Sequence, residues 1–382
     1  MPEYLAPGVY VEEVSFRART IPPAAPPVTV FVGPTARGET GVVSPVLKSF
    51  AAFKRAFGGV ADLRAAGGTR LVNHVAHAAR SFFSEGGRAL RVVRVAGGDG
   101  RAPSLRNYQA AMRRLERVAG LLTVAAPGSS ALPGLAAGVR TMLLGFAAAN
   151  TPRWIVLLDP DPGAPVNEVH QLATGIDAPD AALYYPWVRI RHPSSGRDLE
   201  VPPSGPVAGV IARVDATLGL HRSAGSEPVN SAIGLERRVT KGELDRLNPA
   251  GVSVLREVTG RGIQVWGGRT LSSDPEWKYL NVRRYAAYIE HSIEQGIDWA
   301  VFEPNDEPLW ALVRHAVDGF LLDQWRAGAL LGSKPEQAWF VRCDRSTMTS
   351  ADLGAGRLVV TLGIALIKPA EFMVLRIVKQ LR

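Results

Sequence analysis

A chain of 382 residues, 46% hydrophobic and 21% charged, is long enough to bury a substantial core, and its length fits two domains. Its one cysteine, Cys343, excludes an intrachain disulfide framework, fits cytoplasmic synthesis and reads as a small core residue, not a nucleophile. The net charge of +9 points to an acidic partner surface, but the arginines are scattered, with pairs at 113–114, 237–238 and 283–284 in mixed-charge helical segments; no basic run with interleaved aromatics argues for direct nucleic-acid binding.

Met1-Pro2-Glu3-Tyr4 lacks the basic region and apolar core of a signal peptide, and the most apolar stretch, 131–149, is broken by Pro133 and Arg140. Neither export nor membrane insertion is expected. Gly8, Val9, Tyr10, Val11, Glu12, Glu13 and Val14 favour a strand. Four prolines between Ser15 and Pro27 then discourage helix and sheet, giving a stiff leash that at polyproline II rise would reach about 40 Å. A strand held that far out suits the edge of a neighbour's sheet.

The body opens with a strand over 28–33 closed by Pro34. Helices are expected over 50–57 and 69–84, then a strand over 89–95, a helix over 107–118, a strand over 121–125, a helix over 136–149 and a strand over 154–158 ending at Asp159. This alternation predicts an α/β layered domain with a largely parallel sheet. A strand over 181–187, a helix over 207–218, a polar loop over 221–228, a short helix from Thr240 and a hairpin of 252–255 with 262–266 follow. Val282, Tyr285, Ala286, Ile289 and Ile293 mark the apolar face of a helix that Gly296 stops. The apolar run 297–302 reads as a buried strand before Pro304, and Asp306, Glu307 and Pro308 open a second helix running to Gly328 or Gly332. Two strands, 357–367 and 371–379, close the chain. In the last, Phe372, Val374 and Val378 share one face, and Met373, Leu375 and Ile377 the other, so both faces must be covered.

An α/β domain invites an enzyme reading, and the residues give it little support. No Gly-x-Ser-x-Gly elbow occurs. Asp159 and Asp161 alternate with Pro160 and Pro162 as a turn would. The glycines at 328 and 332, with Lys334, have the wrong spacing for a phosphate loop and follow a helix. His74 and His77 lack a third ligand at metal spacing and read as surface or half-buried residues, and Gly97-Gly98-Asp99-Gly100 lacks a strand-to-helix setting. No catalytic residue, cofactor or metal is expected; an α/β hydrolase-like enzyme and a basic nucleic-acid-binding protein are the alternatives.

Six ordered segments carry a more specific signal: Tyr4-Leu5-Ala6-Pro7-Gly8-Val9-Tyr10-Val11-Glu12-Glu13, Val30-Phe31-Val32-Gly33, Phe57-Gly58-Gly59, Ala208 to Asp215, Val265-Trp266-Gly267-Gly268-Arg269-Thr270-Leu271, and Pro369-Ala370-Glu371-Phe372. With Val301-Phe302-Glu303-Pro304-Asn305, they resemble contractile tail sheath proteins of phages, R-type pyocins and related injection systems. The loop 221–230 departs from that pattern. The resemblance implies an N-terminal arm over 1–27, an outer subtilisin-like α/β domain over 28–265, and an inner α+β domain over 266–382 whose sheet is completed by strands from neighbouring subunits. It further implies a helical stack of hexameric rings around an inner tube protein, bounded by baseplate and terminator or cap proteins, assembled in the cytoplasm into a phage tail or tail-like particle and contracting without nucleotide. The donated strands would be Gly8 to Val14 and Phe372, Val374, Leu375, Ile377 and Val378. Arg314, Arg326 and Lys334, on or just after the second helix, are the expected tube-facing charges.

Overall fold

The computed structural model describes residues 19–64, 70–95 and 103–371. In chain order the elements are β1 (Val28–Gly33), α1 (Phe50–Phe57), the short strands β2 (Leu63–Arg64) and β3 (Arg70–Leu71), α2 (His74–Ser84), β4 (Leu90–Arg94), α3 (Leu105–Leu115), β5 (Leu122–Ala125) and α4 (Ala136–Ala149). Then come β6 (Trp154–Leu158), α5 (Val166–Thr174), β7 (Ala181–Tyr185), β8 (Val188–Arg191), β9 (Asp198–Val201), α6 (Ser204–Thr217), β10 (Gly234–Leu235), α7 (Lys241–Leu247), β11 (Val252–Val258) and β12 (Gly262–Trp266). The rest is α8 (Leu280–Gly296), α9 (Glu307–Arg326), α10 (Pro335–Ala338), β13 (Trp339–Arg342), α11 (Ser350–Gly354) and β14 (Thr361–Ile364).

Seven strands form one sheet in the order β12-β11-β7-β6-β5-β1-β4, parallel throughout except for β12, which pairs antiparallel with β11. The central strands are apolar on both sides because both faces are covered. Phe31, Ile155, Leu157 and Tyr184 join the core built with α1, α2 and α6. Val30, Val32, Val156, Leu158, Leu183 and Tyr185 face the other core, with α3, α4, α5 and α7. The alternation is the period of two expected of pleated strands.

Helix starts follow side-chain caps. Asn73 accepts from the Ala76 amide at 3.2 Å, so α2 begins at His74, five residues later than its apolar spacing predicts. Ser104 caps α3, and Thr240 with Glu243 closes a capping box on α7. The α5 helix and the three-stranded sheet β10-β8-β9 have no counterpart in the sequence reading.

The described chain divides into two compact units. The larger holds 24–292, 329–331 and 366–371; the smaller holds 19–23, 293–328 and 332–365. The division falls inside α8, whereas the sequence reading places a boundary at 265/266. Within the larger unit, α8 is held by two ion pairs, that of Arg284 buried and that of Arg283 half-buried. Arg283 Nε lies 2.6 Å from Asp180 Oδ1, and Arg284 Nη1 donates to Asp215 Oδ1 of α6 at 2.9 Å. Both arginines of that pair thus act inside the fold.

Two expectations are corrected. The run 297–302 is not a buried strand. It makes a 3-10 turn over Asp298–Ala300, with Val301 60% and Phe302 103% exposed and φ of Phe302 at +72°. An apolar run favours burial but supplies no partner strand, and local bonds take the backbone instead: Ala300 N to Ile297 O at 2.8 Å and Val301 N to Asp298 O at 3.2 Å. Nor is all of the proline-rich stretch a free leash. From residue 19 it is laid down: Ile21 is buried against Gly296, and the Ala24 amide donates to Ser292 Oγ at 3.0 Å. Prolines forbid regular pairing, but apolar Ile21 and Ala24 still gain from burial.

Candidate assembly interface

In the smaller unit, β13 and β14 form a two-stranded antiparallel sheet in which Trp339 faces Ile364, Phe340 Gly363, Val341 Leu362 and Arg342 Thr361. Neither outer edge pairs with another strand among the described residues. Every residue of the sheet is exposed or half-buried, and Phe340 is 50% exposed with the Arg342 guanidinium 5.3 Å from its ring centre. A two-stranded sheet has little stability alone and presents unpaired amides and carbonyls at each edge, ready to template a further strand. The sheet is fixed to α9 from one side: Trp339 Nε1 donates to Asp318 Oδ1 at 3.1 Å, and Arg314 Nη1 to the Cys343 carbonyl at 3.1 Å. Cys343 is buried, as expected of a core thiol.

In the larger unit, the segment leading to Phe372 is clamped. Arg269, 3% exposed, directs Nε to both carboxylate oxygens of Glu371 at 3.0 Å, Nη2 to Oε2, and Nη1 to the Asn248 carbonyl at 2.8 Å. Asn281 Nδ2 donates to the Ile367 carbonyl at 3.3 Å, and Leu366 bridges Leu330. Two of the sequence segments singled out above, around Arg269 and Glu371, are thereby joined across 102 positions. Nothing in the spacing foretold it, although an arginine and a glutamate inside otherwise apolar motifs are the residue types such a bond needs.

The expected donor residues Gly8, Val9, Tyr10, Val11, Glu12, Val14, Phe372, Val374, Leu375, Ile377 and Val378 lie outside the described residues, as does Gly97 to Gly100. Of the expected tube-facing charges, Arg314 is half-buried and bonded to Cys343. Arg326 is exposed, with Asp323 at 3.9 Å, and Lys334 is exposed at the start of α10. The β13 strand was missed; the alternation Trp339-Phe340-Val341-Arg342 was its available signal.

Asp159, Asp161, His74 and His77 each have partners within the fold. Asp159, at the carboxyl end of β6, accepts from the Ser204 amide at 2.9 Å and its hydroxyl at 2.7 Å, tying that strand to the start of α6. Burial pushes its pKa up to about 7 against the opposing effect of these bonds and of Arg140. Asp161 pairs with Arg140 at 2.7 Å. His74 is half-buried, but His77 is fully buried, its ring 5.2 Å from His192. The expectation of an exposed or half-exposed His77 fails because α2 turns that face onto the core. Burial takes His74 down to about 4 and His77 to about 3. No metal-binding group of three or more such side chains occurs among the described residues. At the carboxyl ends of β1 and β5, where a doubly wound sheet offers a ligand crevice, Val75 Cγ2 lies 2.5 Å from where a β-carbon on Gly33 would sit. The N-terminus of α2 is packed into that place.

Because the pKa of Asp159 is raised by folding, the protonated carboxyl favours the folded state. Its contribution is complete below the ordinary carboxylate pKa of about 4 and is lost as pH rises through the folded value of about 7. Asp159→Asn keeps an oxygen for the Ser204 amide and a polar group for its hydroxyl, without the charge. The wild type should therefore lose stability relative to Asp159→Asn between about pH 4 and 7, by at most about 1.4 kcal/mol per pH unit, and the gap should level off above that. Urea denaturation of both proteins across this range checks it, and a pH-independent gap would refute the assignment.

The described residues thus combine a mostly parallel α/β sheet in the larger unit with, in the smaller, a two-stranded sheet that is unpaired at both edges among those residues. A family model for the phage tail sheath protein central domain matches residues 108–271, and one for the phage tail sheath C-terminal domain matches 272–380. The chain belongs to the tail sheath protein family. It is 28% identical over 202 residues to the tail sheath protein of Burkholderia phage BcepMu; the match covers 50% of this chain and 40% of that relative, so the chain matches under half the length of that protein. Over 99% of its length it superposes on the structure of the anti-feeding prophage helical sheath in the contracted state, with TM-score 0.78 and 28% identity, covering 100% of that chain. The anti-feeding prophage baseplate, 6-fold symmetrised, contains a chain matched over 99% of this one and 100% of its own length, at TM-score 0.77 and 28% identity.

Proposed function

We propose that the protein is the sheath subunit of a contractile phage tail or tail-like injection particle, polymerising in stacked hexameric rings around an inner tube, with a baseplate at one end and a terminator or cap at the other. The β13–β14 sheet carries this reading: its two edges, unpaired among the described residues, can accept the N-terminal strand of one neighbour and the C-terminal strand of another. Repeated head-to-tail donation produces an open helix, not a closed ring alone. The α/β domain over 28–265 serves as the outer, subtilisin-like domain of the sleeve, and 266–382 as its inner domain. The Arg269–Glu371 clamp holds the base of the C-terminal donor while subunits rearrange. Contraction then draws on the free-energy difference between two packings of the same chains and uses no nucleotide. A few kcal/mol per subunit, the typical scale for alternative packings, becomes mechanical work when summed over a long stack. Assembly takes place in the cytoplasm, no cofactor takes part, and neither a hydrolase nor a nucleic-acid-binding role is favoured.

Purified protein should form long tubes by negative-stain microscopy. Deleting residues 1–14 should abolish the tubes while leaving circular dichroism and the unfolding midpoint unchanged. A folded deletion variant that still polymerises fully would rule out N-terminal donation.

A further inference from the structure

The loop between α8 and α9 is anchored on both sides of Phe302 and leaves that side chain without support among the described residues. On one side, the Arg19 guanidinium lies 4.1 Å over the Trp299 ring and 3.6 Å from the Glu303 carboxylate. On the other, Asn305 donates to the Arg357 carbonyl at 3.1 Å and accepts from Trp310 Nε1 at 2.7 Å. Between these anchors Phe302 is 103% exposed beside Val301 at 60%, on a backbone whose φ of +72° is unfavourable for a bulky residue. A strained aromatic displayed in water has a physical rationale if another surface covers it, since aromatic anchors dominate interface energetics.

The charge around it selects the surface. From Asp298 to Val313 the chain carries Asp298, Glu303, Asp306 and Glu307 and no lysine or arginine. Glu303 and Glu307 face Arg19 and Arg345, whereas Asp298 and Asp306 have no ion pair among the described residues. An apolar tip with an acidic collar fits a basic surface, and this chain is itself basic at +9. An acidic tube surface, by contrast, would repel the collar.

We infer that Val301 and Phe302 form a knob that docks on a second copy of this chain, a contact additional to strand donation. The inference rests on the sheath reading. In a homopolymer the neighbour's surface is always at hand, so the knob is covered on assembly and adds to each subunit contact without any rearrangement of its own backbone.

The test uses full-length protein. Because the Phe302 side chain is fully exposed, Phe302→Ser should keep the wild-type circular dichroism and urea midpoint, yet lower sedimentable polymer by about tenfold or more at equal concentration, the scale of losing an aromatic anchor; Phe302→Tyr should restore most of it. A benzoylphenylalanine photo-crosslinker at position 302 should yield chain-to-chain dimers in assembled sheath, at an efficiency that falls as salt rises. If Phe302→Ser polymerises as the wild type does, or the crosslinker captures only the tube protein or nothing, the knob is refuted while the sheath function stands. If the wild type forms no polymer in any setting, the sheath function fails and the knob fails with it.

Discussion

Glu371→Ala is expected to be among the most damaging single substitutions in the larger unit. It would leave Arg269, 3% exposed, facing a vacated site, and removing one member of a buried pair typically costs about 3–5 kcal/mol. The loss should appear as a lower urea midpoint. It should also appear as faster protease cleavage near residues 366–371, because the fork to both carboxylate oxygens fixes the end of that segment. Arg269→Lys should recover only part, since an ammonium cannot reproduce the fork and also reach the Asn248 carbonyl. Sheath yield should fall with the clamp even under conditions where the remaining fold persists. A Glu371→Ala protein within about 0.5 kcal/mol of wild type, the range of ordinary surface changes, would show that the clamp bears no load.

Gly209→Val should be comparably severe, for a steric reason. A β-carbon on Gly209 would sit 2.6 Å from the Phe82 carbonyl oxygen and 2.7 Å from Glu85 Cβ, and one on Gly205 would sit 2.6 Å from Ala78 Cα. These glycines lie one turn apart on α6 and let it approach α2 closely; the obstacle is largely backbone, which cannot swing aside. Even Gly209→Ala should cost about 1–3 kcal/mol by overpacking, and valine more, with insoluble or expanded protein as the outcome. Gly319, on α9, is the control, because a β-carbon placed there would meet nothing within 4 Å: alanine should stabilise by about 0.5–1 kcal/mol through helix propensity alone. Thermal unfolding of the two alanine variants side by side separates the effects. A Gly209→Ala protein as stable as wild type would mean that the two helices can part at little cost.

Much of the fold was legible because its signals are local. The helix expected over 50–57 is α1, and the apolar runs at 28–33 and 154–158 are the strands β1 and β6. The motif Ala208 to Asp215 was recognisable as a string, but its meaning was not. Only in three dimensions does Gly209 meet Phe82, Arg213 donate to Glu85 at 2.8 Å, and Asp215 take Arg284. The run 297–302 shows the limit most clearly. Its composition favours a strand, but whether a strand forms depends on a partner, and the turn bonds around Asp298 prevailed.

The sequence by itself therefore determined the alternation of helix and strand, the parallel character of the main sheet, the core thiol at Cys343 and the kinship of the chain, since these follow from side-chain period, turn chemistry and wording that lie close together along the chain. Tertiary structure alone decided the clamp between Arg269 and Glu371, the burial of His77, the pairing of β13 with β14 alone among the described residues and the outward Phe302. Each of those depends on which distant surface fills, or fails to fill, the space beside a residue, and burial and pairing energies are set by that neighbour rather than by position in the chain.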